Sequence, residues 1–224
     1  MTDPSDPIIA GDARGPHVRD AGDHLVVVNR NPGRRNALSP LYYETLLGAL
    51  SRAAANRDCA AVILWGADGY FCSGGDLGQL AHRRDLPEAE RRARIEALHD
   101  VMRAIKACPC PVIAAIEGGA AGAGLSLALA CDLAIASDTA TFSAAYVKAG
   151  LVPDGGLTYS LSKSLPPATA RRIVLFGDPI DARELARFGL INDCVAPGKR
   201  SHTPKVWPGA SPPAPAPRKP ASRR

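Results

Sequence analysis

Short unbroken apolar runs alternate along this chain with longer stretches whose apolar residues return every three or four positions. "HLVVVNR" at 24–30 crowds β-branched residues together and predicts the first strand, closed by the turn residues of "NPGRRN". From Ser39 the period changes: "SPLYYETLLGALSRAAAN" has helical apolar spacing, Ser39 as N-cap and Pro40 at the first helical position. "CAAVILWG" at 59–66 is continuous enough for a strand buried on both faces. A glycine-laced turn in "ADGYFCSGGDLGQL" leads to a short helix. Residues 87–107 then predict a long amphipathic helix that stops before "CPCPV", where two prolines enforce extended backbone. "PVIAAIE" at 111–117 and "CDLAIAS" at 131–137 read as strands, with a helix opening near Gly122 between them. Strand and helix alternating in this way predict an α/β protein.

Further on, "ATFSAAYVKAG" reads as short strand and turn, "LVPDGG" as a loop, and "ATARRIVLFG" as helix. "DPIDARELARFGLINDCV" contains a capping box, Asp181 with Glu184 three residues on, and Gly189 as the stop. Residues 1–22, rich in Gly and Pro, predict a flexible N-terminal segment, and 23–196 the folded core. Residues 197–224 are dominated by Pro, Ala, Ser, Arg and Lys, a composition that buries too little surface to offset its ordering entropy, and predict a disordered tail.

The net charge of +5 suggests a polyanion partner until its location is considered. Seven of the 27 basic residues lie past Pro197 with no acid among them, which leaves 20 bases against 22 acids, about −2, in the rest. The folded part is therefore not expected to bind nucleic acid. At 224 residues the chain can bury a sizeable core without a metal or disulfides. Aromatic residues make up only 5%, so that core must be built of Ala, Val, Leu and Ile. Six scattered cysteines, among them the C-x-C of Cys108 and Cys110, fit reduced thiols better than a disulfide framework or a zinc knuckle. No secretory signal and no 18-residue apolar run is visible, which predicts a cytoplasmic protein with no membrane contact. "FCSGGD" lacks the Gly-Lys-Ser/Thr of a P-loop, and "GAAGAG" lacks the glycine order of a dinucleotide fingerprint.

What remains is a pair of small-residue turns, "FCSGGDL" at 71–77 and "GGAAGAG" at 118–124, each after a buried strand and before a helix. Backbone without side chains lets N–H groups face a ligand, and the helix that follows adds partial positive charge. Two such N–H groups converging on one point make an oxyanion hole. Close strand-to-helix packing is the other explanation for either turn alone.

Taken with "NRNPGRRNAL" at 29–38, "GLVPDGGLTYSL" at 150–161 and "GDPIDARELARFGLINDCV" at 177–195, the two turns resemble the crotonase superfamily, the enoyl-CoA hydratase/isomerase fold, over roughly residues 24–196. The resemblance implies a spiral of repeated ββα units acting on an acyl-CoA thioester through an enolate, with coenzyme A as part of the substrate and no other cofactor. It places the two stabilising amides at Gly75 and Ala123, with Gly74 and Gly122 shaping the turns. It places coenzyme A near Arg35, Ala37, Gly74, Asp76, Leu77 and Gly122, with Arg34 or Arg35 facing phosphate or forming an ordinary solvated turn. It also implies a homotrimer or a dimer of trimers. Family members continue as helix past the position of Cys194, whereas this chain becomes Pro-rich, so the C-terminal helical part is expected to be shortened and the trimer weakened.

Hydratases of the family carry two glutamates at positions that the resemblance gives to Ser126 and Tyr146. Neither hydroxyl is a base at neutral pH without activation. Asp154 in "VPDGG" stands where isomerases of the family can carry a single acidic residue, and one carboxylate suffices to remove an α-proton and return it elsewhere. Isomerase-like chemistry is thus favoured, with an atypical hydratase and a non-catalytic acyl-CoA binder as alternatives. Asp154 has an alternative too, capping the turn that follows it. Tyr146 is open between a hydrogen bond to the acyl group and a core position. Asp132 and Cys72 read as structural, Asp76 as a helix cap, and Lys148 and His82 as surface groups.

Overall fold

The computed structural model of the chain describes residues 14–196. Residues 1–13 of the expected flexible segment, and the expected tail from Pro197, lie outside the described residues. Strand β1 (His17–Asp20) falls within the stretch expected to be flexible. It pairs antiparallel with β2 (His24–Asn29), and this pairing supplies the order that its own polar sequence does not.

The main sheet continues in parallel from β2 to β3 (Ala61–Gly66) and β4 (Val112–Ile116). Next come β6 (Leu133–Ser137) and, at the far edge, β9 (Asp193–Val195). Every residue of β2 and β3 is buried, as their unbroken apolar runs predict. Val27, Val62 and Leu64 face the main core, while Val26, Val28, Ile63 and Trp65 cluster on the other side. A smaller sheet holds β5 (Gly119–Ala121), β7 (Thr141–Ser143) and β8 (Ile180–Asp181). Isolated parallel bridges join Leu38 to Gly75 and Cys72 to Ala120. Among the described residues no helix is long and apolar enough to cross a membrane.

The helices follow their signals closely. Helix α1 (Pro40–Ala55) starts where expected, with the Ser39 hydroxyl accepting the Tyr42 N–H. The short α2 (Leu77–His82) is capped by Asp76, which accepts the Gly78 N–H at 2.9 Å. Amphipathic α3 (Glu88–Ala107) buries Leu98, Val101, Met102 and Ile105. In α4 (Ala123–Ala130) seven of the eight residues are buried, which an almost entirely apolar helix requires. One helix was not legible in the sequence: α5 (Leu157–Ser164) follows the "VPDGG" loop and precedes α6 (Pro167–Phe176), the helix that was expected. Helix α7 (Ala182–Arg187) begins with Asp181 accepting the Glu184 N–H at 2.7 Å, one half of the expected box.

Candidate active site

The two small-residue turns lie against each other. Residues 71–73 run beside 117–121: Phe71 donates to the Glu117 carbonyl at 2.8 Å, and Ala121 donates to the Cys72 carbonyl at 3.0 Å. On its other flank the first turn is held by 34–38, with Leu38 N–H on the Gly74 carbonyl at 2.8 Å and Ser73 N–H on the Arg35 carbonyl at 3.0 Å. Contact this close needs missing side chains. A Cβ on Gly74, whose φ is +91°, would come within 2.6 Å of the Ala121 carbonyl oxygen and 3.1 Å of the Ala123 nitrogen. A Cβ on Gly124 would strike the Cys72 carbonyl. Tight packing, one of the two explanations open from sequence, is therefore present in both turns.

Gly75, Gly122 and Ala123 all line one cleft that opens to solvent. Neither the Gly75 nor the Ala123 N–H meets a protein acceptor among the described residues. Gly122 (φ +51°) donates to the Ser143 carbonyl at 2.9 Å and accepts from Leu125 and Ser126, so the turn before α4 is fixed by its own backbone.

Ser126, Tyr146 and Asp154, which sequence reasoning treated one by one, form a single network. The Tyr146 hydroxyl donates to Asp154 Oδ1 at 2.6 Å. Ser126 Oγ lies 2.8 Å from the Tyr146 oxygen and 3.0 Å from the Asp154 carbonyl, so one serine proton is shared between two acceptors. Ser126 and Tyr146 are buried, and burial, followed by the neighbouring Asp154 charge, pushes the Tyr146 phenol well up from its usual range. The phenol accordingly stays protonated and serves as a donor. Asp154 caps no helix with its side chain: α5 begins at left-handed Gly156 without a side-chain cap, and only the Asp154 carbonyl accepts the Leu157 N–H. Its carboxylate is the only one lining the cleft among the described residues.

The residues assigned to coenzyme A are placed as follows. Leu77 is exposed at the cleft, whereas Ala37 is buried and Leu38 takes the lining position beside it. Arg34 pairs with Asp76 at 3.1 Å, so the helix cap and the guanidinium hold each other. Arg35, at left-handed φ (+45°), lies over the Tyr70 ring at 5.7 Å. Asn31 and Asn36 pin this loop: Asn31 Nδ2 donates to the Ala37 carbonyl, and Asn36 Nδ2 donates to the carbonyls of Ala67 and Tyr70. Asp132 is structural, accepting the Val112 N–H at 2.9 Å, and Cys72 is a buried thiol pushed up to about 12 by desolvation. Lys148 faces Asp178 at 3.8 Å and His82 is exposed. Missed altogether were Tyr43, Arg83 and Arg94, which also line the cleft. Their local sequence carries no signal beyond helical spacing.

A largely parallel sheet with a smaller sheet beside it thus carries two apposed small-residue turns at one cleft. Residues 24–202 match the family described as Enoyl-CoA hydratase/isomerase, and the chain belongs to that family. A probable enoyl-CoA hydratase of Mycobacterium tuberculosis is 42% identical over 166 residues, 74% of this chain and 63% of that protein. Another, of Mycobacterium avium, is 39% identical over 189 residues, 84% of this chain and 72% of its own length. The chain thus spans less than two thirds of the first of these relatives and 72% of the second. Among solved structures, an enoyl-CoA hydratase from Polaromonas is 42% identical with a TM-score of 0.78, over 82% of this chain and 72% of that one. A putative enoyl-CoA hydratase from Streptomyces coelicolor is 32% identical with a TM-score of 0.77, over 84% and 71%.

Proposed function

We propose that the chain acts on an acyl-CoA thioester and moves a double bond within the acyl group. The carrying observation is that Asp154, hydrogen-bonded by Tyr146, is the only carboxylate among the described residues lining a cleft that Gly75 and Ala123 also line. In this reading Asp154 takes the α-proton of a 3-enoyl thioester. The electron pair moves onto the thioester oxygen, where the Gly75 and Ala123 amides stabilise the enolate, and the proton returns at the γ-carbon. Stabilisation by two oriented donors is worth several kcal/mol, about 3–4 for one donor alone. Tyr146 orients the carboxylate, and Ser126 orients Tyr146.

Turnover of 3-enoyl-CoA and ring-containing acyl-CoA thioesters by wild type and Asp154→Asn tests the reading. Loss of turnover in the variant supports it, and equal turnover by both proteins removes Asp154 as the base. A hydratase is the second reading, favoured by the names of the relatives. Robust hydration of crotonyl-CoA would select it, and would require a water held by Asp154 and Tyr146 in place of two glutamates. Assembly into trimers is inferred from the family resemblance alone, and light scattering of the full chain measures it.

A further inference from the structure

Arg83, just past α2, lines the same cleft with an unusual deficit. Its Nε is buried and has no hydrogen-bond partner, and no ion pair neutralises its guanidinium among the described residues. The residue as a whole is half-buried and lines the cleft, so a ligand acceptor there would meet a guanidinium that no protein carboxylate among the described residues has claimed. Arg94 also lines the cleft and is paired with Glu90 at 2.7 Å, which leaves Arg83 as the cleft cation without a carboxylate partner among the described residues. Leu80, Ile95 and Leu98 supply the apolar wall around them. The Arg83 charge is felt at Tyr43, where it opposes the upward push that burial gives that phenol, and Tyr43 in turn feels Asp154. Arg83 and Asp154 therefore both lie within electrostatic reach of Tyr43, and all three line the cleft.

We propose that Arg83, backed by Arg94, recognises an anionic group at the far end of the acyl chain, so that the preferred ligand is the coenzyme A monothioester of a dicarboxylic acid. The inference rests on the reading of the cleft as an acyl-CoA site. A guanidinium suits a carboxylate because its donors form a planar fork, and a half-buried cation without a protein partner discriminates between a carboxylate and a methyl group.

The test uses saturated, unreactive thioesters in matched pairs: succinyl- against butyryl-CoA, glutaryl- against valeryl-CoA, adipyl- against hexanoyl-CoA. Calorimetric titration gives the affinity ratio of acid to methyl partner in wild type, Arg83→Met and Arg83→Lys. A ratio within one preparation is insensitive to any loss of folded fraction. The expected ratio in wild type is about 10–100 for at least one pair, the range for a hydrogen bond to a charged group. It falls to about one in Arg83→Met and is partly kept in Arg83→Lys. An equal ratio in wild type and Arg83→Met, or no preference for any acid, overturns the proposal. So does a loss in Arg83→Met that is the same for both members of each pair and for free coenzyme A, because that assigns Arg83 to the coenzyme A phosphates. Binding without acid preference leaves the acyl-CoA reading standing. No binding of any thioester overturns both.

Discussion

Replacing Gly74 by alanine tests whether the apposed turns depend on the absence of a side chain. At φ +91° an L-residue is strained by about 1–2 kcal/mol. The added methyl would also meet the Ala121 carbonyl oxygen at 2.6 Å and the Ala123 nitrogen at 3.1 Å. Both are backbone atoms, which cannot swing aside, so crowding adds about 1–3 kcal/mol. The total, about 2–5 kcal/mol, corresponds to a fall in melting temperature of about 4–20 °C for a chain of this size. Gly33→Ala is the matched control: its φ is +74°, yet nothing lies within 4 Å of the added Cβ, so it carries only the backbone strain. Thermal unfolding of both variants isolates the collision as their difference. The push falls on the residue whose N–H is assigned to the enolate. Turnover of any accepted thioester should therefore drop about 10–100-fold in the Gly74 variant, short of the loss of a whole oxyanion donor. If the two variants melt together and the Gly74 variant turns over like wild type, the turns are not in contact as described and the amide argument fails with them.

Other outcomes follow from the same geometry. Of the five tyrosines, burial holds Tyr42, Tyr43, Tyr70 and Tyr146 above the usual phenol range, while the Lys163 ammonium pulls exposed Tyr159 below it. Absorbance titration of the native protein should show one early phenolate. The buried phenols stabilise the fold fully below about pH 10, and that contribution is lost as pH rises further. A thiol reagent at neutral pH should label Cys194 first, since Cys59, Cys72, Cys108, Cys110 and Cys131 are buried; rapid labelling of Cys72 would contradict its burial. Asp181→Ala removes the cap on the Glu184 N–H and should cost about 0.5–2 kcal/mol in denaturant unfolding.

Elements with their own local signal were readable from sequence, and elements made by their partners were not. Strands β2 and β3 announce themselves by apolar runs, and α1 by Ser39-Pro40. By contrast β5 is "GAA", with no strand propensity, and it is extended because it pairs with Thr141–Ser143. Helix α5 reads "LTYSLSKS" behind two left-handed glycines, Gly155 and Gly156, and its apolar positions Leu157 and Leu161 are too few to show a period. The same division holds at the site. The glycine turns were legible because close approach demands missing side chains. The contact of Tyr146 with Asp154 spans only eight residues, yet it depends on a 3-10 turn at Val147–Ala149 that reverses the chain. The orphaned Nε of Arg83 has no sequence signature at all, because burial without a partner is a property of the fold.

That network changes the meaning of Ser126 and Tyr146, the two residues to which the family resemblance gives the hydratase glutamate positions. Ser126 and Tyr146 are poor bases, and in isolation they suggest lost activity. Together they give the remaining carboxylate a donor at 2.6 Å and fix its backbone carbonyl at 3.0 Å, so the side chain and the loop are held from both ends. Two glutamates brought this close would repel unless one stayed protonated. A serine and a tyrosine avoid that conflict and concentrate proton transfer on one group. In the proposed reading this arrangement suits a reaction in which the same base takes a proton from one carbon and returns it to another. It suits the addition of water less well, since that step asks for an acid and a base at once.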